Sequence, residues 1–297
     1  MNIAVFAREL SPNNYDKFQS LMGTINQRGV KCGFYRDFYE SLPQELKSNL
    51  VLEYLYDSIP ELSSNVDILL SLGGDGTLLN SLRVVQDFNV LVAGVNFGRL
   101  GFLTATKLEE KCDRFVDNLI AKNFSIIERA TLKVSSKEID QSFFAYALNE
   151  ISIHRNDASM LSIDLKVNGL SLPTYWSDGI IVATPTGSTA YNLSVGGPLV
   201  TPDSKVTIIS PIAPHNLNVR PLIVPEGSSV EIVTHSRSGH YSLNVDNRDI
   251  RLSCEYPLTI ENGDFKLKTI NMPDTNFFDV INEKLLWGED RRNSLSK

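Results

Sequence analysis

Residues 65–79 read Asn65-Val-Asp-Ile-Leu-Leu-Ser-Leu-Gly-Gly-Asp-Gly-Thr-Leu-Leu79, and this stretch decides the fold. Ile68, Leu69, Leu70 and Leu72 form an apolar run too short for an ordinary helix, which suits a central parallel strand covered on both faces. Gly73, Gly74 and Gly76 end that run, because glycine opens backbone conformations closed to other residues and lets another molecule approach closely. From Thr77 the pattern Thr-Leu-Leu-Asn-Ser-Leu-Arg predicts a helix. A strand that stops at a glycine turn and restarts as a helix leaves a crevice at its carboxyl end, with Asp75 at the mouth and free N–H groups facing any anion. The same residues also fit a plain tight turn in which Asp75 caps the helix.

Two other phosphate loops are excluded. The chain contains no Gly-Lys-Ser or Gly-Lys-Thr, so a Walker-type loop is absent. The dinucleotide fingerprint fails because Leu79 stands where a third glycine is required.

Outward from this stretch the chain reads in two textures. Toward the N-terminus, strands at 3–6, 30–35 and 66–72 alternate with helices, one starting at Ser11-Pro12 and running to Gly29, another at 43–56. A strand at 90–96 follows, then the glycine-punctuated Phe97-Gly-Arg-Leu-Gly101, then an amphipathic helix at 108–121 with Cys112, Phe115, Leu119 and Ile120 on one face. Such alternation implies a parallel sheet. Beyond residue 123 strands follow one another at 126–134, 143–154, 161–167, 180–183, 206–210, 230–234 and 243–245, with turns at Asn168-Gly, Glu226-Gly and Asn262-Gly. Helical spacing returns at 276–287, and 291–297 reads as a frayed tail. The expected fold is therefore α/β plus all-β: a Rossmann-like parallel-sheet domain at 1–123, rejoined by about 271–297, and a β-sandwich-like domain at 124–270.

Composition narrows the function. With 297 residues, 42% apolar and 21% charged, the chain is globular and long enough for two cores. A net charge of -7 and a pI near 5.2 exclude a broad nucleic-acid footprint. An acidic chain that handles phosphates must neutralise them locally, with backbone N–H groups and a divalent cation. Three distant cysteines, Cys32, Cys112 and Cys254, define neither a disulfide framework nor a zinc pattern. The first residues carry no signal-peptide pattern and no apolar run is long enough to span a bilayer, so a soluble, cytoplasmic protein without membrane partners is expected.

Chemistry concentrates in two further stretches. Asp178-Gly-Ile-Ile-Val-Ala-Thr-Pro-Thr-Gly-Ser-Thr-Ala-Tyr191 runs from a buried strand into small hydroxyls and exposed amides able to hold a polar ligand or phosphate, and Tyr191 offers a ring for stacking. Asn149-Glu150 places an amide and an acid inside the apolar strand Tyr146-Ala-Leu-Asn-Glu-Ile-Ser-Ile; if buried, both need hydrogen-bonded partners, which a ligand with hydroxyls would supply. An edge strand with its acid in water fits that pattern equally.

Together with Gly94-Val-Asn-Phe-Gly-Arg-Leu-Gly-Phe-Leu103 and Gly196-Gly-Pro198, these motifs in this order resemble the NAD kinase family. The resemblance runs from about residue 66 to 225 and more loosely to both ends; the 178–191 block is its specific part, since glycine-acid loops also occur in lipid kinases and phosphofructokinase relatives. It implies transfer of the ATP γ-phosphoryl group to the 2′-hydroxyl of the adenosine ribose of NAD. It implies Asp75 as base, phosphate contact from Gly73, Gly74, Gly76 and Thr77, and NAD contact from Asp75, Gly76, Asn149, Glu150, Asp178, Thr189, Ala190, Tyr191, Asn192, Leu193 and Ser194. Weaker positions are Asn80, Trp176, Ala213 and Arg248. A divalent cation, Mg²⁺ or Mn²⁺, is implied without identified ligands, as is a homodimer or homotetramer. Asn80 stands where many relatives carry a basic residue, Trp176-Ser177 replaces another, and Val245-Asp-Asn-Arg248 replaces a frequent Asp-Gly-Gln. His154 and His215 read as hydrogen-bonded structural residues. The competing readings are a lipid or sphingoid-base kinase, which would need an apolar acyl pocket, and a non-catalytic NAD sensor, which would dispense with Asp75.

Overall fold

Short apolar segments of six residues or fewer lie parallel in one sheet, and its central strands are almost wholly buried and so need no polar side. The computed structural model describes residues 1–58, 65–98, 101–104, 106–107, 112–273 and 275–287. In the sheet the strands run in the order Tyr54–Tyr56, Lys31–Tyr35, Asn2–Phe6, Ile68–Leu72, Leu91–Asn96, Leu267–Asn271, Ser125–Arg129, with Thr106–Lys107 paired to Leu91–Asn96. Asn2–Phe6 and Ile68–Leu72 are almost wholly buried, and they pack on Phe18, Leu21 and Ile25 of the Tyr15–Gln27 helix and on Phe115, Val116 and Leu119 of Cys112–Ile120. This unit comprises 1–127 and 268–297, and the Phe277–Leu285 helix belongs to it. The Asn276 side chain caps that helix by accepting the Asp279 N–H.

The unit of residues 128–267 is two antiparallel sheets. One runs Leu222–Pro225, Val206–Ile212, Gly179–Ala183, Glu150–Arg155, His240–Val245, Arg248–Ser253. The other runs Leu170–Ser171, Leu161–Val167, Val230–His235, Leu258–Asn262, Leu132–Ser135, Tyr146–Ala147, with Tyr175–Ser177 on Leu161–Val167. Ile151, Ile153 and Leu243 of the first sheet share one core with Leu161, Ile163 and Ile232 of the second, as in a sandwich. Ile181, Ala183, Ile208 and Ile212 form a smaller cluster on the opposite face of the first sheet, which explains why Gly179–Ala183 is buried throughout.

Several expected elements differ. Instead of one helix over 43–56 there are two short ones, Arg36–Ser41 and Gln44–Lys47, followed by the strand Tyr54–Tyr56. Pro43 blocks a continuous helix, and the β-favouring Tyr-Leu-Tyr pairs with Lys31–Tyr35 because Gly33 leaves room for the Tyr54 ring: a Cβ there would lie 1.8 Å from it. The Ser11 side chain caps nothing, and Pro12–Asn14 forms a 3₁₀ turn before the helix. The 126–134 strand is two, Ser125–Arg129 and Leu132–Ser135, lying in different sheets. Ile120 is exposed, leaving Phe115, Val116 and Leu119 as the inward stripe. Residues 108–111 and 291–297, on which the start of that helix and the tail were expected, lie outside the described residues.

Candidate active site

The glycine turn is stiffer than its composition suggests. Gly73 donates its N–H to the Val95 carbonyl, tying the turn to the end of the neighbouring strand, and sits at φ 149, where a Cβ would meet the Thr77 hydroxyl at 2.3 Å. Gly74 is the residue preceding the helix, which therefore begins at Asp75 and not at Thr77. Asp75 does not cap it. Its carboxylate instead reaches the second glycine stretch, where Oδ1 accepts the Leu103 and Thr104 N–H groups and the Thr104 hydroxyl at 3.1 Å each, and Oδ2 accepts the Phe102 N–H at 2.9 Å. A Cβ on Gly101 would lie 1.9 Å from Oδ1, so the close fit depends on that glycine. A carboxylate offers about four acceptor positions; here Oδ1 is fully engaged and Oδ2 retains one. The sequence signal for this partnership was the spacing Gly98-x-x-Gly101-Phe-Leu-Thr, which had been read only as another turn.

Along the same helix, Asn80 donates to the Gly76 carbonyl and lines a crevice of about 460 Å³ with Arg8, Tyr35, Asp37 and Arg83. The crevice opens at the carboxyl ends of Asn2–Phe6, Lys31–Tyr35 and Tyr54–Tyr56, the side of a parallel sheet on which ligands gather.

In the β-rich unit the expected strand 143–154 is broken. Tyr146–Ala147 pairs in one sheet and Glu150–Arg155 in the other, and Leu148-Asn149 makes the corner between them. The acid of Val245-Asp-Asn-Arg248, which is not among the expected site residues, holds that corner. Asp246, at the tip of the two-residue hairpin joining His240–Val245 to Arg248–Ser253, accepts the N–H groups of Leu148 and Asn149 at 2.8 Å and of Glu150 at 3.2 Å. From the other side Thr184 donates its N–H to the Asn149 carbonyl and its hydroxyl to the Leu148 carbonyl. Gly187 packs so closely that a Cβ would meet the Asn149 carbonyl at 2.1 Å.

Strand alternation then sorts the side chains: Ile151 and Ile153 enter the sandwich core, while Glu150, Ser152 and His154 share the opposite face. Over that face lies Tyr191, its ring stacked on His154 at 5.6 Å and its N–H donated to the Glu150 carboxyl. Glu150 is 8% exposed, and its Oε2 has no hydrogen-bond partner. Burial, and secondarily the nearby Asp246, push its carboxyl up to about 8, against the Tyr191 N–H that pulls it down. Asp246 is also pushed up by burial, opposed by its three N–H bonds and Arg248; with those bonds in place, Glu150 is the member of the pair that holds the proton near neutral pH. Burial lowers the His154 imidazole, which bonds Ser152 at 2.9 Å.

The hydroxyl-rich segment is folded inward more than expected. Thr186–Thr189 is a 3₁₀ turn and Tyr191–Ser194 a short helix. Ser188 binds Val200, and Asn192, fully buried, binds the Pro198 carbonyl and the Ser210 hydroxyl through its side chain, so these polar groups serve the fold. Thr189, Ala190 and Leu193 are half-buried, and Tyr191 and Ser194 are exposed.

Asp178 precedes the other end of Gly179–Ala183, five residue rises or about 17 Å from the Glu150 end. It forms a 2.8 Å ion pair with Arg155. Trp176, half-exposed, and Ala213, exposed at φ 44, sit at that same end, with the Trp176 carbonyl accepting the His215 N–H. Arg248 belongs to the Asp246 hairpin, where its guanidinium lies over Phe144 and donates to the Tyr146 carbonyl.

Comparison with known proteins completes the description. Residues 6–124 match the family model for the ATP-NAD kinase N-terminal domain and residues 148–272 that for the C-terminal domain. The NAD kinase of Flavobacterium psychrophilum is 36% identical over 296 residues, covering 99% of this chain and all of that protein. The NAD kinase of Bacteroides fragilis is 35% identical over 293 residues, 98% of this chain and all of its own. Among solved structures, yeast NADH kinase complexed with NADH aligns at a TM-score of 0.83 with 26% identity, covering 98% of this chain and 89% of that one. An Archaeoglobus fulgidus NAD kinase in complex with ATP shares the fold at 0.71, with 23% identity over 96% of this chain and 99% of its own.

Proposed function

From the premise that this chain belongs to the ATP-NAD kinase family and is an ATP-dependent NAD kinase, we propose the following division of labour among its residues. Asp75 is the base. The observation that carries this is the acceptor count at its carboxylate, with Oδ1 saturated by the 103–104 segment and Oδ2 holding one free position. A ribose 2′-hydroxyl donating there is oriented for attack. Its oxygen bonds to the γ-phosphorus, the bond from that phosphorus to the β–γ bridging oxygen breaks, ADP leaves, and the hydroxyl proton passes to Oδ2.

Gly73, Gly74, Gly76 and Thr77 meet the ATP phosphates at the start of the helix, and the crevice lined by Arg8, Tyr35 and Arg83 along that helix receives the rest of the donor. Asn149, Glu150, Asp178 and the 189–194 segment bind NAD. A protonated Glu150 donates to a hydroxyl, and Tyr191, backed by His154, offers its outer face to a ring.

A divalent cation, Mg²⁺ or Mn²⁺, belongs to the same proposal. Among the described residues no group of three His, Cys, Asp or Glu is placed to hold an ion, and no side chain is assigned to it as a ligand. It would supply neutralisation of the phosphate charge in a chain that is itself negative. No helix among the described residues is long and apolar enough to cross a membrane; cytoplasmic placement and a homodimer or homotetramer complete the proposal. The test is formation of NADP from NAD, ATP and Mg²⁺ by the purified protein, with omission of either substrate abolishing it. Product formed from a long-chain alcohol in place of NAD would favour the lipid-kinase reading instead.

A further inference from the structure

The corner Leu148–Asn149–Glu150 is gripped from two sides by residues to which no role in the reaction has been given. Asp246 takes its three N–H groups and Thr184 two of its carbonyls. Asp246 returns its own N–H to the Glu150 carbonyl at 3.0 Å, so hairpin tip and corner are bonded in both directions. The three strand ends involved lie together, because Glu150 pairs with Ala183 and Ile151 with Val245. A corner in which two sheets part has no ladder partner of its own, and unpaired buried amides are costly. An apolar pairing or an ordinary turn would satisfy those amides loosely. A carboxylate with no exposed surface fixes them within charge-assisted bonds, and with them the directions of two consecutive side chains, Asn149 and Glu150.

We propose that Asp246 and Thr184 form a clamp that acts through the backbone of residues 148–150 to position Asn149 and Glu150 for NAD. This rests on the assignment of NAD to that pair. Both are positioning residues, and their effect is confined to one of the two substrates.

The experiment uses the full chain. Asp246→Asn turns one carboxylate oxygen into an NH₂ that faces an N–H donor, so at least one of the three bonds is lost. Thr184→Val is isosteric and removes the hydroxyl bonds to the Leu148 carbonyl and the Gly187 N–H while keeping the backbone bond to the Asn149 carbonyl, and it carries the test should Asp246→Asn fail to fold. KM for NAD, and the Kd for NAD by calorimetry, should rise roughly tenfold or more in Asp246→Asn, the loss expected for a hydrogen bond to a charged group, and about fivefold in Thr184→Val, where the bond lost is between neutral groups. KM for ATP should stay within about twofold. In a Glu150→Gln background the same substitutions should cost clearly less, because they act through that residue. Equal rises in both KM values, or undiminished effects in the Glu150→Gln background, would overturn the clamp and make these residues merely structural. A wild-type chain that forms no NADP would instead overturn the assignment beneath it, and the clamp's role with it.

Discussion

Asp75→Asn separates the two tasks that the glycine loop acid combines. The carboxylate receives four donors, three on Oδ1 and one on Oδ2. An asparagine can keep its oxygen toward Leu103 and Thr104, but then its NH₂ occupies the Oδ2 place and faces the Phe102 N–H, donor against donor. One charge-assisted bond is lost, worth about 1.5–3 kcal/mol. For a unit of this size that lowers the thermal midpoint by roughly 3–12 °C. The catalytic loss is separate: the free acceptor on Oδ2 disappears with its basicity, and turnover should fall about 10²-fold or more. The assay is NADP formation at saturating NAD, ATP and Mg²⁺, well below the variant's midpoint, with NAD affinity measured by calorimetry on the same sample. Affinity should change far less than turnover. A variant that melts earlier but turns over NAD at close to the wild-type rate would refute the reasoning, leaving Asp75 as an anchor for residues 101–104 and nothing more.

Gly101→Ala should imitate that loss, since its Cβ would sit 1.9 Å from Asp75 Oδ1 and push the carboxylate aside; turnover comparable to wild type would show that the loop yields instead. Glu150 retains its proton in the fold up to about pH 8 but loses it near 4.5 when unfolded, so the native state holds one proton more across that window. Stability therefore falls as pH rises from about 4.5 to 8, by at most about 1.4 kcal/mol per pH unit from this group, and Glu150→Gln should flatten that part of the curve. Parallel denaturation curves for the two proteins at pH 5, 6.5 and 8 would contradict it. Light scattering at micromolar concentration should give two or four times 33.1 kDa, and a monomer would remove the assembly from the proposal.

Much of this was legible in the residues because the relevant signals are local. The short apolar runs before Gly73 and Phe97 are parallel strands, and of the consecutive strands expected after residue 123 those from Leu132 onward form the antiparallel sheets, while Ser125–Arg129 joins the first sheet. What was illegible depended on contacts distant in sequence. Tyr54–Tyr56 has helical neighbours and became a strand because Gly33, twenty residues earlier, makes room for it. Asp75 was read as facing a ligand or capping a helix, and its bonds to residues 102–104 arise from a second loop brought alongside by the pairing of Ile68–Leu72 with Leu91–Asn96. Asp246 stands in Val245-Asp-Asn-Arg248, a stretch whose resemblance points to a ligand contact and not to this structural task. A buried acid in a hairpin tip shows in sequence only as a turn residue, and its importance comes from the amides of 148–150, nearly a hundred positions away.

The place of Leu267–Asn271 in the parallel sheet has a consequence for synthesis of the chain. It lies between Leu91–Asn96 and the edge strand Ser125–Arg129, so that end of the sheet remains incomplete until residue 271 has left the ribosome. The roughly 140 residues separating it from Ser125–Arg129 take on the order of 7–30 s to translate. Throughout that interval the edge of Leu91–Asn96, beyond the Val95 and Asn96 positions that pair with Thr106–Lys107, presents unpaired N–H and C=O groups along a buried-type sequence, an invitation to pair with other nascent chains. Transcripts truncated before codon 267 should thus yield insoluble product or chaperone-bound chains, even though every residue of the glycine loop is present.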